Sequence, residues 1–193
     1  MRETESVRRR LLDAAVRRFD ADGMLEATID DIRRDAGVSV GAVYHHFPDK
    51  AALHAAAWLD AMITYQQGFL ATLRVHASAE AGIKAAVAYQ LRWSAAHRES
   101  ASLLFGARPS DASVGATIKE HNRAFVSECG AWWRTHVQYG AVRDLDLKVV
   151  SSLWLGPARD YSSYGVAGPS RRIAAALLET FAEAAWQSLR APR

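Results

Sequence analysis

The 193-residue sequence contains few helix-breaking residues, a single cysteine and no apolar segment long enough to cross a membrane. It contains only five prolines and twelve glycines, and alanine recurs in clusters, so helix is favoured throughout. The single cysteine, Cys129, excludes an internal disulfide and a cysteine-based metal cluster. The longest uncharged stretches, residues 36–48 and 61–73, are shorter than the roughly 18 to 20 apolar residues of a membrane span. Because the charged amino terminus also lacks a secretion signal, we expect an all-α, cytoplasmic protein without membrane contact.

Catalytic and phosphate-binding motifs are also missing from the sequence. It contains no H-E-x-x-H, no G-x-x-x-x-G-K-[ST] and no G-x-S-x-G, and its seven histidines are scattered without the spacing of metal ligands. We therefore expect no cofactor and no metal. An all-α enzyme is kept only as a distant alternative.

The net charge of +3 permits an anionic partner but does not identify one. Residues 1–50 carry nine Lys and Arg against ten Asp and Glu, so this segment is almost neutral. If it binds nucleic acid, the local placement of its charges must be responsible.

Hydrophobic periodicity and capping residues predict about nine helices. The first stops at Gly23, and the second lies between an N-cap at Thr28 and a terminating Gly37. Ser39 then caps a short third helix, and Asp49 caps a longer fourth one. The predicted helices cover residues 7–22, 28–36, 40–47, 50–73, 79–97, 100–105, 112–139, 147–164 and 170–190.

A helix, a tight glycine turn and a short helix form the arrangement of a helix-turn-helix. The residues that carry a more specific resemblance are RLLDAAVRRF at 10–19, Gly23, ATIDDI at 27–32, AGVS at 36–39, GAVYHHF at 41–47, Lys50 and Leu53. In these residues the sequence resembles the amino-terminal domain of TetR-family transcriptional regulators. The resemblance implies a helix-turn-helix DNA-binding domain at residues 1–48 and a larger helical domain for effector binding and dimerisation at residues 49–193.

The resemblance further implies that a double-stranded DNA operator contacts the third helix and the adjoining helix ends. Tyr44 would donate its hydroxyl to a phosphate, and His45 would reach a phosphate or a base edge. Val40 offers thymine a methyl contact but no hydrogen bond, whereas Val43 and Phe47 are expected in the core. The predicted DNA-binding residues are Thr28, Arg34, Ser39, Val40, Gly41, Ala42, Tyr44, His45 and Lys50.

Several of these residues also have a structural interpretation. Thr28 and Ser39 are N-caps in any case, although the amino terminus of a helix also offers amide groups to a phosphate. Arg34 could simply pair with neighbouring aspartates, and Ala42 could be a small packing residue. Lys50 opposes the dipole at the start of its helix, which favours a phosphate partner.

Beyond residue 90 the sequence is rich in aromatic residues, and polar side chains interrupt the apolar helix stripes at Gln90, Asn122, Cys129 and His136. An ordinary core seldom holds so many polar groups, so we expect some of them to line a pocket for a small, apolar or aromatic effector. The alternative is a plain hydrophobic core. The predicted effector-binding residues are Tyr65, Gln90, Trp93, Phe105, Asn122, Trp132 and His136.

The last two predicted helices carry more apolar surface than one chain needs for its core. The resemblance implies that they form a four-helix bundle between two copies, with the monomer's own core as the alternative. The predicted interface residues are Trp154, Pro157, Tyr161, Leu177, Phe181 and Ala185. The leading hypothesis is a homodimeric repressor that an effector releases from DNA. The alternative is a DNA-binding protein whose carboxy-terminal helices only dimerise or bind another protein.

Overall fold

The chain is helical in a computed structural model that describes residues 2–106, 109, 112–163 and 173–192. Within these ranges the only β-type pairing is one isolated antiparallel bridge between Val142 and Arg190. The predicted end of the eighth helix and start of the ninth, at residues 164 and 170, lie outside these ranges. The nine helices of the described residues are α1 Arg2–Glu26, α2 Ile29–Ala36, α3 Val40–His46, α4 Lys50–Arg74, α5 Ala79–Ala96, α6 Arg98–Phe105, α7 Ala112–Gln138, α8 Leu147–Ser163 and α9 Ala175–Leu189.

The predicted stop of the first helix at Gly23 is confirmed by its backbone conformation. Gly23 has a φ of 76° and a ψ of 163°, which interrupts the helix, and the short segment up to Glu26 follows beyond this kink. The amide of Ala27 still donates to the Gly23 carbonyl at 3.1 Å. Glycine takes a positive φ without a Cβ clash, so the chain bends here and then completes one more turn.

The chain divides into two compact units, the first comprising residues 1–63 with 99–120 and the second residues 64–98 with 121–193. The predicted domain boundary between residues 48 and 49 stays a prediction. In the first unit α1 packs on α2 and α3, and the apolar stripes of the three helices meet in a core that contains Leu11, Ile32 and Val43. This core positions α3.

The second unit is built around buried aromatic residues. The Phe69 ring lies 5.5 Å from that of Phe125 and 5.7 Å from that of Trp154, both edge-on, which is a favourable geometry for aromatic pairs. The indole Nε1 of Trp154 donates to the Ile83 carbonyl at 3.0 Å and thereby links α8 to α5. The described part of the chain contains no helix that is long and apolar enough to span a bilayer.

Gly82 lets an aromatic ring approach α5 closely. A Cβ built on this buried glycine would lie 2.5 Å from Cζ2 of Trp132 on α7, which is closer than van der Waals contact allows. The Trp132 ring therefore occupies the space that any other residue at position 82 would need.

Candidate functional site

Capping residues at the ends of α2 and at the start of α3 define the turn between these helices, as the sequence predicts. The Thr28 hydroxyl accepts from the Asp31 amide at 3.1 Å and starts α2, and Gly37 ends it in the left-handed region with a φ of 63°. The Ser39 hydroxyl then accepts from the Ala42 amide at 3.2 Å and starts α3. Only residues 37–39 separate the two helices. This turn and its two capped helices have the geometry of a helix-turn-helix.

Burial divides α3 into two faces. Val43 is fully buried and Phe47 is 4% exposed, so their predicted core positions are confirmed. On the opposite face Val40 is 48% and Tyr44 is 54% exposed. Gly41 and His45 are exposed beside them, and Ala42 is half-buried. Because α3 contains no acidic residue, its free face would not repel a polyanion.

Lys50 has partners inside the chain that the sequence does not reveal. Its ammonium donates to the carbonyl of Leu25 at 2.8 Å and to that of Ala27 at 2.9 Å. Both carbonyls lie just before the Thr28 cap, so Lys50 connects the start of α4 to the junction between α1 and α2. The unfavourable charge at the helix start thus has an intramolecular explanation, and the predicted phosphate contact stays a prediction.

The arginines of α2 pair with aspartates of the same helix, which is the structural alternative left open above. Arg34 binds Asp30 and donates to Asp31 at 2.9 Å, while Arg33 donates to Asp30 at 2.6 Å. The Arg34 side chain is nevertheless 60% exposed. Such exposed pairs contribute little to stability and can exchange for another anion.

Two arginines of α1 hold the helix-turn-helix together. Arg18 donates to the Asp35 carboxylate through Nε at 2.6 Å and Nη2 at 2.9 Å, which joins α1 to α2. Hydrogen bonding from Arg18 keeps the pKa of Asp35 below its ordinary value. Arg10 donates to the carbonyls of Ala36 at 3.2 Å and Gly37 at 3.5 Å, at the end of α2. Sequence reasoning missed both roles because the partners are 17 to 27 residues away.

Two of the predicted effector residues, Tyr65 and Gln90, form a polar chain with Ser94 in the core of the second unit, and a third, Trp93, packs against it. The Tyr65 hydroxyl donates to Oε1 of Gln90 at 2.5 Å, and Nε2 of Gln90 donates to the Ser94 hydroxyl at 3.1 Å. Trp93 packs edge-on against Tyr65 with 5.1 Å between ring centroids. Burial raises the pKa of Tyr65, so its hydroxyl stays a neutral donor.

The other predicted effector residues lie on α6 and α7. Asn122 accepts from Nε2 of Gln66 at 2.8 Å. The Trp132 ring lies 4.3 Å from that of His136, edge-on, and burial lowers the pKa of His136. Phe105 is half-buried in α6 and belongs to the first unit.

A cavity of about 90 Å³ lies elsewhere in the second unit, and none of the seven predicted effector residues lines it. Its walls come from α4, α7 and α8 and include Cys129, one of the polar residues singled out in the sequence. Burial raises the pKa of the Cys129 thiol to about 12, which keeps the thiol neutral.

Two of the predicted dimer-interface residues are buried in the single chain, and their place at an interface stays a prediction. Trp154 and Ala185 are each 4% exposed in the single chain, because the packing of α5, α8 and α9 buries both in the chain's own core. Pro157 is exposed, Leu177 is half-buried, and the half-buried rings of Tyr161 and Phe181 pack together at 5.2 Å. Beside them runs a groove whose lining residues include Leu153, Pro157, Phe181 and Ala184.

A short helix that is capped after a glycine turn, buried on one face and exposed on the other, defines a helix-turn-helix domain. The family model described as "Bacterial regulatory proteins, tetR family" matches residues 11–57. The regulator SrpR of Pseudomonas putida is 39% identical over 83 residues, which cover 43% of this chain and 39% of SrpR. BetI of Escherichia coli K12 is 42% identical over 88 residues, which cover 43% of this chain and 44% of BetI. The chain therefore spans less than half of the length of these two curated relatives.

The similarity to solved structures with the same fold covers nearly the whole chain. A TetR family transcription regulator from Marinobacter aquaeolei VT8 has a TM-score of 0.82 at 17% identity, with 100% of both chains covered. The regulator FadR of Bacillus subtilis, solved in complex with stearoyl-CoA, has a TM-score of 0.75 at 17% identity, with 91% of this chain and 96% of FadR covered. The helix-turn-helix domain is that of the TetR family of bacterial regulatory proteins, and the chain has the TetR fold. Because these relatives are transcription regulators, the enzyme alternative is set aside.

Proposed function

We propose that this protein is a ligand-responsive transcriptional repressor that binds a pseudo-palindromic DNA operator as a homodimer. The observation that carries the proposal is the exposed, acid-free face of α3, which contains Val40, Gly41, Tyr44 and His45. An α-helix presented in this way fits the major groove, where base edges distinguish all four base pairs.

In this proposal the side chains of α3 have different roles. Tyr44 donates its hydroxyl to a phosphate, and His45 reaches a phosphate or a base edge, so both position the protein on the duplex. Val40 contacts a thymine methyl group and contributes sequence preference. Gly41 and Ala42 are small enough to let the helix backbone come close to the groove.

The ends of the neighbouring helices complete the DNA surface. The amide groups at the capped starts of α2 and α3, beside Thr28 and Ser39, are suited to phosphate oxygens. Arg34 is exposed enough to exchange its aspartate partners for a phosphate. The Lys50 ammonium has a third N–H beyond those that bind Leu25 and Ala27, and this proton is available for a phosphate.

The homodimer would form through α8 and α9. Leu153 and Val149 are exposed apolar residues of α8, and Pro157 and Ala184 extend the same kind of surface along the groove. Apolar surface of this kind is typical of protein interfaces, and small residues such as Ala184 let helices pack closely. A two-fold dimer matches the symmetry of a palindromic operator.

The effector proposal is supported by the FadR relative that was solved with stearoyl-CoA and by the interior of the second unit. The buried chain of Tyr65, Gln90 and Ser94 supplies hydrogen-bonding groups in apolar surroundings, which is the usual composition of a small-molecule site. Thermal-shift screening against lipophilic and aromatic metabolites tests it, because a ligand of the folded state raises the apparent stability. Absence of any shift would favour helices that only dimerise or bind another protein.

Selection of bound duplexes from a random DNA library tests the DNA proposal. We expect enrichment of inverted repeats whose half-site centres are about 10 to 10.5 bp, or a multiple of this, apart. Enrichment of single half-sites would contradict binding as a dimer, and retention of random sequence would contradict specific binding.

A further inference from the structure

Three consecutive arginines, Arg8, Arg9 and Arg10, lie in the first part of α1, and the structure gives them different partners. Arg9 pairs with Asp13 at 2.7 Å and with Asp60 at 3.0 Å. Arg10 donates to the backbone carbonyls at the end of α2. Among the residues that the structure describes, Arg8 makes neither a hydrogen bond nor an ion pair with an oxygen. Its cationic group therefore has no anionic partner there.

The guanidinium of Arg8 is held against the end of α3 by an aromatic ring. Its Cζ lies 5.8 Å from the ring centroid of Phe47, which is within the range of a cation–π interaction. Phe47 ends α3 and is buried, so the core fixes the ring over which the guanidinium lies. Arg8 is thus placed beside α3 although it belongs to α1.

The ring contacts continue from Phe47 towards the exposed face of α3. The ring centroids of Phe47 and His46 are 6.2 Å apart, and those of His46 and His45 are 5.2 Å apart. His45 is exposed on the face that is proposed to bind DNA. Only the rings of Phe47 and His46 therefore separate the Arg8 guanidinium from an exposed residue of this face.

A guanidinium that stacks on a ring keeps its N–H groups for another partner. It has five N–H donors in a planar fork, and this fork binds the oxygens of a phosphate in pairs. Because the cation–π contact already restricts the Arg8 side chain, less conformational entropy is lost when a phosphate binds. Arg8 is half-buried, so part of the side chain is accessible to such a partner.

We propose that Arg8 is a further DNA contact, which donates to a backbone phosphate beside the major groove that α3 enters. The helix-turn-helix domain is that of a family of DNA-binding regulators, so the anion at this surface is a DNA phosphate. The inference rests on the proposed function for the docking of α3 in the groove. Phosphate contacts position a protein without reading sequence, so Arg8 strengthens binding to every duplex.

The salt dependence of DNA binding tests this contact. Fluorescence anisotropy with the full chain gives the affinity for a selected operator duplex and for a duplex of random sequence over a range of KCl concentrations. We expect Arg8→Met, in which the methionine still covers Phe47, to bind both duplexes about tenfold more weakly. The salt slope should fall by about one for each bound protomer. A salt slope equal to that of the wild type would overturn the proposal.

The exposed Arg17 supplies a charge-matched control. It lies about two and a half turns further along α1 than Arg8 and so on the opposite side of the helix. Arg17→Met removes the same charge and should leave the salt slope unchanged. If both variants lower the slope equally, the effect comes from the net charge of the domain, and the contact of Arg8 with a phosphate is wrong.

A purely structural role of Arg8 would give a different result. If Arg8 only covered Phe47, Arg8→Ala would lower the Tm, and Arg8→Met would bind DNA as the wild type does. We expect instead that Arg8→Met keeps the Tm of the wild type and loses DNA affinity. Arg8→Lys keeps the charge but not the planar fork, so it should retain the salt slope and bind less tightly than the wild type. Wild-type affinity in Arg8→Met would contradict the proposal whatever its Tm.

Neutral phosphates in the duplex locate the contact. Replacing one phosphate at a time by a methylphosphonate removes its charge. In each half-site we expect one position where this change weakens binding of the wild type but does not weaken binding of Arg8→Met further, because groups in contact have non-additive effects. If every methylphosphonate weakens both proteins by the same factor, Arg8 contacts no defined phosphate and the proposal is wrong.

The inference and the proposed function can fail separately. Sequence-specific binding with wild-type salt dependence in Arg8→Met would remove Arg8 from the DNA surface and leave the function standing. Failure of the wild type to bind any duplex would contradict the proposed function and the Arg8 contact together.

Discussion

The ammonium nitrogen of Lys50, the first residue of α4, lies 2.9 Å from the carbonyl oxygen of Ala27. Ala27 immediately precedes the Thr28 cap of α2, so this hydrogen bond ties the start of α4 to the start of the helix-turn-helix. Lys50, which the sequence predicts as a DNA contact, therefore also stabilises the fold of the domain that presents α3.

Replacing Lys50 separates these two roles. In Lys50→Ala the carbonyls of Leu25 and Ala27 lose their donor, so we expect the free energy of unfolding to fall by about 1–2 kcal/mol in urea titrations. The exposed Lys119 of α7 supplies the control, and Lys119→Ala should be neutral. An unchanged unfolding free energy, together with a salt slope of DNA binding lowered by about one, would instead make Lys50 a phosphate contact alone.

The pair of Arg18 and Asp35 predicts how stability depends on pH. Arg18 lowers the pKa of Asp35 in the folded state, so the pair stabilises the protein fully above the pKa of about 3.9 of an unfolded aspartate. This contribution is lost as the pH falls through the lower folded-state pKa. Asp35→Asn should therefore reduce the Tm at pH 7 and flatten the loss of stability below about pH 4. A Tm difference between wild type and variant that is the same at pH 7 and pH 3 would contradict this.

The close approach of Trp132 to Gly82 predicts that adding one methyl group at position 82 strongly lowers the stability of the protein. Gly82→Ala should destabilise the protein by about 1–3 kcal/mol, since the ring must move out of a packed position. In Gly115→Ala the new Cβ meets nothing within 4 Å, and because alanine is the better helix former this control should be neutral or stabilising. Urea unfolding followed by tryptophan fluorescence measures both. Equal stability of the two variants would mean that Trp132 does not occupy this space.

Dimerisation through α8 and α9 is tested at a residue exposed in the single chain. Leu153→Glu places a charge on the proposed interface without disturbing the core, so sedimentation should give the mass of a monomer while the helical spectrum is retained. Val75→Glu, at another exposed apolar residue, should leave the dimer intact. A dimer that persists in Leu153→Glu would place the interface elsewhere. Ala185→Glu would not be informative, because Ala185 is buried in the single chain.

The features that follow from nearby residues could be predicted from the sequence. The caps at Thr28, Ser39 and Asp49 each accept from an amide three residues ahead, so their side chains mark the helix starts locally. The two faces of α3 follow in the same way, because the apolar residues Val43 and Phe47 are four positions apart.

The partners of the basic residues could not be predicted. Arg10 reaches Ala36 across 26 residues and Lys50 reaches Ala27 across 23, and these contacts exist only once the three helices have packed. The lining of the cavity could not be predicted either. The polar position of Cys129 pointed to a pocket, but only the packing of α7 and α8 determines that Trp133 lines it while Gln90 and Tyr65 pair with each other.

The affinity of the protein for a selected operator duplex, measured by fluorescence anisotropy for two tyrosine variants, tests the central claim most directly. Tyr44 on α3 and Tyr139 at the end of α7 are both exposed, at 54% and 80%, but only Tyr44 lies on the proposed DNA surface. We expect Tyr44→Ala to weaken binding about three- to tenfold for all sequences alike, as the loss of a phosphate hydrogen bond requires, and Tyr139→Ala to bind as the wild type does. Wild-type affinity in Tyr44→Ala, or an equal loss in both variants, would contradict the assignment of α3 as the DNA-binding helix.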